Sequence, residues 1–115
     1  MSKQDPQTVI AIYRVQPERE KDFFETLRKH YPALKSVGLV TDDVPIVYRG
    51  VERDGRPIVF EIFSWTDAEA PNTAHQLPEV MAVWEPMGSM LEPRDGKPKM
   101  EFPHVDKLDF VFDAQ

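Results

Sequence analysis

Two apolar runs, Val44-Pro45-Ile46-Val47-Tyr48-Arg49-Gly50-Val51-Glu52 and Pro57-Ile58-Val59-Phe60-Glu61-Ile62-Phe63, flank Arg53-Asp54-Gly55-Arg56, and their reading decides the fold. Both runs are rich in β-branched and aromatic residues. The Asp-Gly pair between them supplies the positive φ that a tight connection demands, so the spacing predicts an antiparallel hairpin. Upstream, Thr8 to Val15 reads as a further strand. Pro17 suits a first helical position, where its missing N–H is no loss. Phe23, Leu27 and Tyr31 then recur every four residues, with Phe24 widening the stripe, which predicts a helix from Pro17 to Tyr31. Glu18 and Glu20 at its start and Arg28 and Lys29 near its end suit the helix dipole. Tyr31-Pro32 is expected to stop it, and Leu34 to Val40 to add one helical turn.

Downstream of the hairpin, Thr66-Asp67-Ala68-Glu69 has the form of a capping box. The helical segment after it is punctuated by Pro71, Pro78 and Pro86, while Leu77, Val80, Met81, Trp84 and Met87 keep to one face. Arg94-Asp95-Gly96-Lys97 repeats the turn chemistry. Met100 to Phe112 is expected to be extended, with Leu108, Phe110 and Phe112 alternating against Asp109, Val111 and Asp113. The order is β-α-β-β-α-β: an α+β, ferredoxin-like chain with a four-stranded antiparallel sheet and both helices on one face.

That arrangement leaves a surface to cover. In the first strand Ile10 and Ile12 oppose Val9, Ala11, Tyr13 and Val15; in the third, Ile58, Phe60 and Ile62 oppose Val59 and Phe63. Both sheet faces are apolar, and two helices cover one. A second copy packed on the other face, as a two-fold homodimer, is the expected solution.

The 115 residues suffice for one domain with its own core. Fourteen bases against twenty acids give a net charge of −6, which argues against a nucleic-acid partner. The absence of cysteine removes disulfides, thiolate metal sites and a Cys nucleophile. No apolar run is long enough to span a bilayer, and the first residues lack the apolar stretch of a signal peptide. A cytoplasmic, membrane-free protein is the expectation.

Pro57 to Pro93 carries six acids and neither Lys nor Arg. It also holds both tryptophans and His75, so a pocket built from it would be apolar, aromatic and without a cationic anchor. An anionic ligand would have to be met from elsewhere, by Arg14 or Arg49. Of the three histidines, His30 reads as a solvent-facing group in the last turn of the first helix. His104 is free to face either a pocket or a dimer seam. His75, just past a helical start and near Leu77 and Trp84, is the candidate general base; its structural alternative is a helix-capping histidine before Pro78. His75 and Glu79 share a helical face, but no third ligand accompanies them, so no metal is expected. The aromatic set Tyr13, Tyr48, Phe60, Trp65 and Trp84 reads as core or as pocket wall. Phosphate loops, nucleophile elbows and Ser-His-Asp sets are absent from the sequence.

The strand order, and the segment from Phe60-Glu61-Ile62-Phe63-Ser64-Trp65-Thr66-Asp67 into Ala74-His75, Pro78 and Val80, resemble the dimeric α+β barrel superfamily, and within it the antibiotic-biosynthesis-monooxygenase-like domains. The resemblance implies protomers packed sheet to sheet into a barrel, each with a pocket between its own sheet and helices. Some such relatives are cofactor-free oxygenases of polycyclic phenols or quinols, others degrade haem, and many have no assigned activity. The haem-degrading pattern needs an Asn in the first strand and a helical Trp and His. Here that strand has no Asn, His75 stands near the expected Trp, and Trp84-Glu85 near the expected His. The expectation is a homodimer binding a small apolar or aromatic molecule, with a cofactor-independent monooxygenase activity as one reading. In that reading His75 is the base, Tyr13 or Tyr48 the hydrogen-bond donor, and Phe60, Trp65, Trp84, Met81 and His104 line the substrate. The other readings are a non-catalytic ligand-binding protein and an interaction module with a filled interior.

Overall fold

The computed structural model describes residues 5–114. Four strands, β1 (Gln7–Arg14), β2 (Ile46–Val51), β3 (Pro57–Trp65) and β4 (Met100–Glu101), form one antiparallel sheet in the order β2-β3-β1-β4. The central pair is in register from Gln7↔Trp65 to Arg14↔Ile58. The β2–β3 hairpin closes through Arg53, Asp54 and Gly55: the Glu52 N–H donates to the Arg56 carbonyl at 2.9 Å, and Gly55 takes φ +90°. The second Asp-Gly makes a tighter, two-residue turn. Asp95 (φ +50°) and Gly96 (φ +77°) are both left-handed, and Arg94 and Lys97 exchange backbone hydrogen bonds across them.

The first helical region is broken where one helix was expected. Pro17–Arg19 forms a 3-10 turn, α1 runs Glu20–Leu27, and α2 runs His30–Ser36. Pro32 does not end a helix; it sits in the first turn of α2, where its N–H is not required. α2 ends with Gly38 at φ +74°, the Leu39 N–H reaching the Leu34 carbonyl and the Gly38 N–H that of Lys35. The second region is α3 (Ala70–Ala74) and α4 (Pro78–Ser89). Its start is not the reciprocal box expected of Thr66 and Glu69. The Asp67 carboxylate accepts the backbone N–H groups of Glu69 (3.0 Å) and Ala70 (2.9 Å), while the Thr66 hydroxyl donates to the Leu39 carbonyl.

α1 and α2 pack against α4 on one face of the sheet. Val9, Ala11, Tyr13 and Val15 of β1 and Val59, Phe63 and Trp65 of β3 point into that layer with Phe23, Leu34, Val80 and Met87. Ile10, Ile12, Ile58, Phe60 and Ile62 lie on the other face, beside Ile46 and Tyr48 of the edge strand, which are 55% and 60% exposed. The final strand is shorter than expected. After β4 a bridge joins Val9 to His104, and the chain then runs without regular structure, leaving Leu108, Phe110, Val111 and Phe112 exposed. No helix of the described residues is long and apolar enough to cross a membrane.

Candidate functional site

On the helical side of the sheet, an acid at an inward-facing strand position must find partners or be expelled. Glu61 is that acid: it sits opposite Ala11 and is 2% exposed. Its Oε1 accepts the Tyr13 hydroxyl at 2.8 Å, and Nδ1 of His30 lies 2.9 and 3.1 Å from its two oxygens. On the far side of the imidazole, Trp84 Nε1 lies 2.9 Å from His30 Nε2. An indole nitrogen only donates, so Nε2 accepts, and the ring proton resides on Nδ1, where it is given to Glu61. Burial, then the adjacent Glu61 charge and the hydrogen bond it accepts, push the Tyr13 hydroxyl well above the usual tyrosine range. Tyr13 therefore remains a donor at neutral pH.

His30 reaches this position because the chain breaks between α1 and α2. The sequence placed it in solvent, and that placement is corrected: it is 2% exposed, packed edge-on to Phe63. Phe23, Leu27, His30 and Leu34 are spaced by four, three and four residues, the rhythm of one buried helical face. That rhythm was the available signal, masked by the more obvious every-fourth aromatic at Tyr31. Tyr31 instead lies at the rim of this layer and donates to the Thr41 carbonyl at 2.8 Å.

The network forms part of the wall of a cavity of about 600 Å³ between α4, the sheet and the β4 edge. Tyr13, His30, Phe63, Trp65 and Trp84 line its depth; His75, Met81, Phe102 and His104 complete it, with Glu85 and Lys99 among its charged lining. A filled interior is thereby ruled out. Of the residues expected at one site, Tyr13, Trp65, His75, Met81, Trp84 and His104 come together around this space. Tyr48 and Phe60 do not. They are register partners of Ile12's side of the sheet, because strand alternation turns every second side chain of β2 and β3 away from the helices. His75 caps the short α3, is exposed, and packs edge-on against Trp84 with ring centroids 4.8 Å apart. Its only described aromatic neighbour is thus the same tryptophan that holds His30.

The cationic side chains are also placed differently from expectation. Arg14 is buried and committed to the Pro98 carbonyl (2.7 Å) and Glu101 (2.7 Å), and Arg49 pairs with Glu20 on the surface. Lys99, donating to the Gly88 carbonyl at 3.2 Å, is the base that reaches the cavity. Among the described residues no three His, Asp or Glu side chains cluster as metal ligands would.

This geometry can be set beside known proteins. No protein-family model matches the sequence, and no curated protein is similar to it. Solved structures do match over nearly the whole chain. A candidate antibiotic biosynthesis monooxygenase of Caulobacter crescentus superposes with a TM-score of 0.67 at 16% identity, covering 93% of each chain. The fold this chain shares with it is ferredoxin-like. A NIPSNAP family protein of Agrobacterium tumefaciens shares this fold at a TM-score of 0.63 and 15% identity, over 96% of this chain and 93% of that one. So does a dimeric ferredoxin-like protein of unknown function from Jannaschia, at 0.60 and 14% identity, over 89% and 99%. At these identities the ferredoxin-like architecture is what is shared.

Proposed function

We propose that the chain is a homodimer that binds a small apolar, aromatic molecule in the cavity between sheet and α4, and that it acts there as a cofactor-independent monooxygenase on a phenolic or enolic substrate. The observation that carries this reading is an apolar, aromatic-walled space of about 600 Å³ whose wall includes Tyr13 and His30, the two residues that meet in a hydrogen-bond relay on the buried Glu61 behind it. A cavity of this size suits a polycyclic aromatic. The His30 Nε2 lone pair lies at its wall, where it accepts the Trp84 indole N–H until a substrate displaces that donor, and the Glu61 carboxylate stands ready to stabilise the imidazolium formed when Nε2 takes a proton. The base is therefore His30 rather than His75, which has an exposed ring and no described carboxylate partner.

For an anthrone-like substrate the balance is simple. The enol tautomer gives its hydroxyl proton to Nε2, and the resulting enolate, a carbanion at the former CH₂ carbon, gives one electron to dioxygen. The radical pair combines to a peroxide, the O–O bond breaks, and water leaves with a carbonyl in place of the CH₂: anthrone plus O₂ gives anthraquinone plus water. Tyr13 and Glu61 hold the imidazole; Trp65 and Phe63 supply dry walls.

Support for dimer formation comes from the open sheet face, where Ile46 and Tyr48 are exposed and Ile10, Ile12, Ile58, Phe60 and Ile62 are half-buried in one copy, and from the exposed Leu108, Phe110, Val111 and Phe112. The competing reading is a binding protein without chemistry, favoured by the predominantly apolar surface of the cavity wall. Oxygen-electrode traces with anthrone, without added metal or flavin, separate the two. Uptake by the native chain that falls at least ~100-fold in His30→Gln, and less than ~3-fold in His75→Ala, is expected for a general base. Thermal stabilisation by anthrone with no oxygen consumption would instead assign the binding role.

A further inference from the structure

The relay just described has one exchangeable member. Tyr13, Glu61 and His30 are each 1–2% exposed and tied into the sheet and α2. Trp84 is half-buried, stands on the cavity wall, and belongs to α4, a helix that begins at Pro78 after a break and contains Pro86 two residues on. Every donor and acceptor in the relay is matched only while the indole N–H faces His30 Nε2. Nδ1 is committed to the carboxylate, so Nε2 has no second way to be satisfied. A buried acceptor stripped of its donor is unfavourable, and one offered a new donor is not.

We infer that Trp84 is a specificity-determining residue: its indole N–H occupies the place of the ligand's own hydroxyl or N–H, and His30 Nε2 is released only to a ligand that brings such a donor. A ligand without one must coexist with Trp84 in place and forgo the imidazole. A ligand with one exchanges donor for donor, and the indole turns toward His75 and Trp65, its other ring neighbours at 4.8 and 6.4 Å between centroids. This inference rests on the cavity being the binding site, as proposed above, but not on any reaction occurring there. It ties selection to proton transfer, since the only ligands that uncover Nε2 are those whose proton it can take.

The matched probes are 2-naphthol and 2-methoxynaphthalene, equal in ring system and different in the donor. Calorimetric titration is expected to show native chain binding the naphthol ~10-fold more tightly than the ether. In Trp84→Phe, which keeps an aromatic wall and removes the competing N–H, the preference is expected to widen by a further ~10-fold, with ether affinity nearly unchanged. Equal affinities for both probes in native chain and in Trp84→Phe would overturn the inference. A second measurement needs no variant. In nitrogen-15 spectra of the native chain, His30 is expected as the Nδ1–H tautomer with a hydrogen-bonded Trp84 indole, and naphthol, but not the ether, is expected to shift the indole resonance. A protonated Nε2, or an indole signal indifferent to naphthol, would overturn it as well. Failure of both probes to bind would contradict the cavity reading itself, while the spectra of the ligand-free chain would still decide the relay.

Discussion

Removing one oxygen atom gives the sharpest test of the buried relay. Tyr13→Phe deletes the hydroxyl that donates to Glu61 Oε1 at 2.8 Å and leaves the ring packing against Phe23 (centroids 5.2 Å apart) unchanged. A hydrogen bond to a charged acceptor in such a setting contributes about 1.5–3 kcal/mol, so a loss of about 2 kcal/mol is expected at pH 7. For a chain of this size that corresponds to a fall in Tm of about 8 °C. The same hydroxyl has a second signature. Its ionisation is pushed up in the folded chain, first by burial and then by Glu61, whereas in the unfolded chain it ionises near 10. Above that pH the unfolded state loses its proton first, so the stability linked to Tyr13 is complete below pH 10 and drains away as pH rises. Between pH 10 and 11 that contribution should weaken in the native chain and have no counterpart in the variant. Urea unfolding followed by circular dichroism should therefore show a gap of about 2 kcal/mol at pH 7 that narrows as the pH is raised to 11. A gap that is absent at pH 7, or constant between the two, would refute the assignment of Tyr13 as a buried donor to an ionised Glu61.

Arg94 tests the fold away from the cavity. Its side chain is fully buried and donates to the Val15 and Pro57 carbonyls (2.8 Å for the latter) and to Glu52 and Glu92. Arg94→Met should destabilise by about 3–5 kcal/mol in urea melts, and Arg94→Lys should recover less than half, because an ammonium cannot span those directions at once. On the open sheet face, the proposed seam, Ile12→Arg should leave far-UV circular dichroism unchanged and take the sedimenting particle from two copies to one; a native particle of one copy, or a variant still of two, would overturn the proposed seam.

Strand order, hairpin chemistry and the two-sided apolar sheet were legible because each rests on short-range rules. Asp54-Gly55 and Asp95-Gly96 announce turns whatever surrounds them, and period-two alternation assigns faces without knowledge of partners. The same alternation already put Phe60 on the opposite face from Val59 and Phe63, so its exclusion from the cavity was readable. Tyr48 required the β2–β3 register. The site was harder because its centre is a long-range pairing. Glu61 and His30 are 31 residues apart, and nothing local to His30 announces a carboxylate. Two signals together would have found it: an acid flanked by Val59 and Phe63 on an inward strand face, and a histidine completing the Phe23, Leu27, Leu34 stripe. Each alone has an ordinary explanation, a frayed strand or a helix-end cation. His75 reads as the candidate because it follows a helical start and precedes Leu77 and Trp84 on the same helical segment; in the structure its ring packs on Trp84, while the buried position belongs to His30. The short β4 was over-read as a long strand because the alternation of 108–112 is that of a strand, though in one copy those residues have no strand to pair with.

The most direct measurement is a crystal structure of the chain grown with 2-naphthol. The ring system should lie between α4 and the sheet against Trp65 and Phe63, with its oxygen about 3 Å from His30 Nε2 and the Trp84 indole turned aside. A naphthol seated outside this cavity, or inside it with Trp84 still on His30 and the hydroxyl facing solvent, would contradict the account.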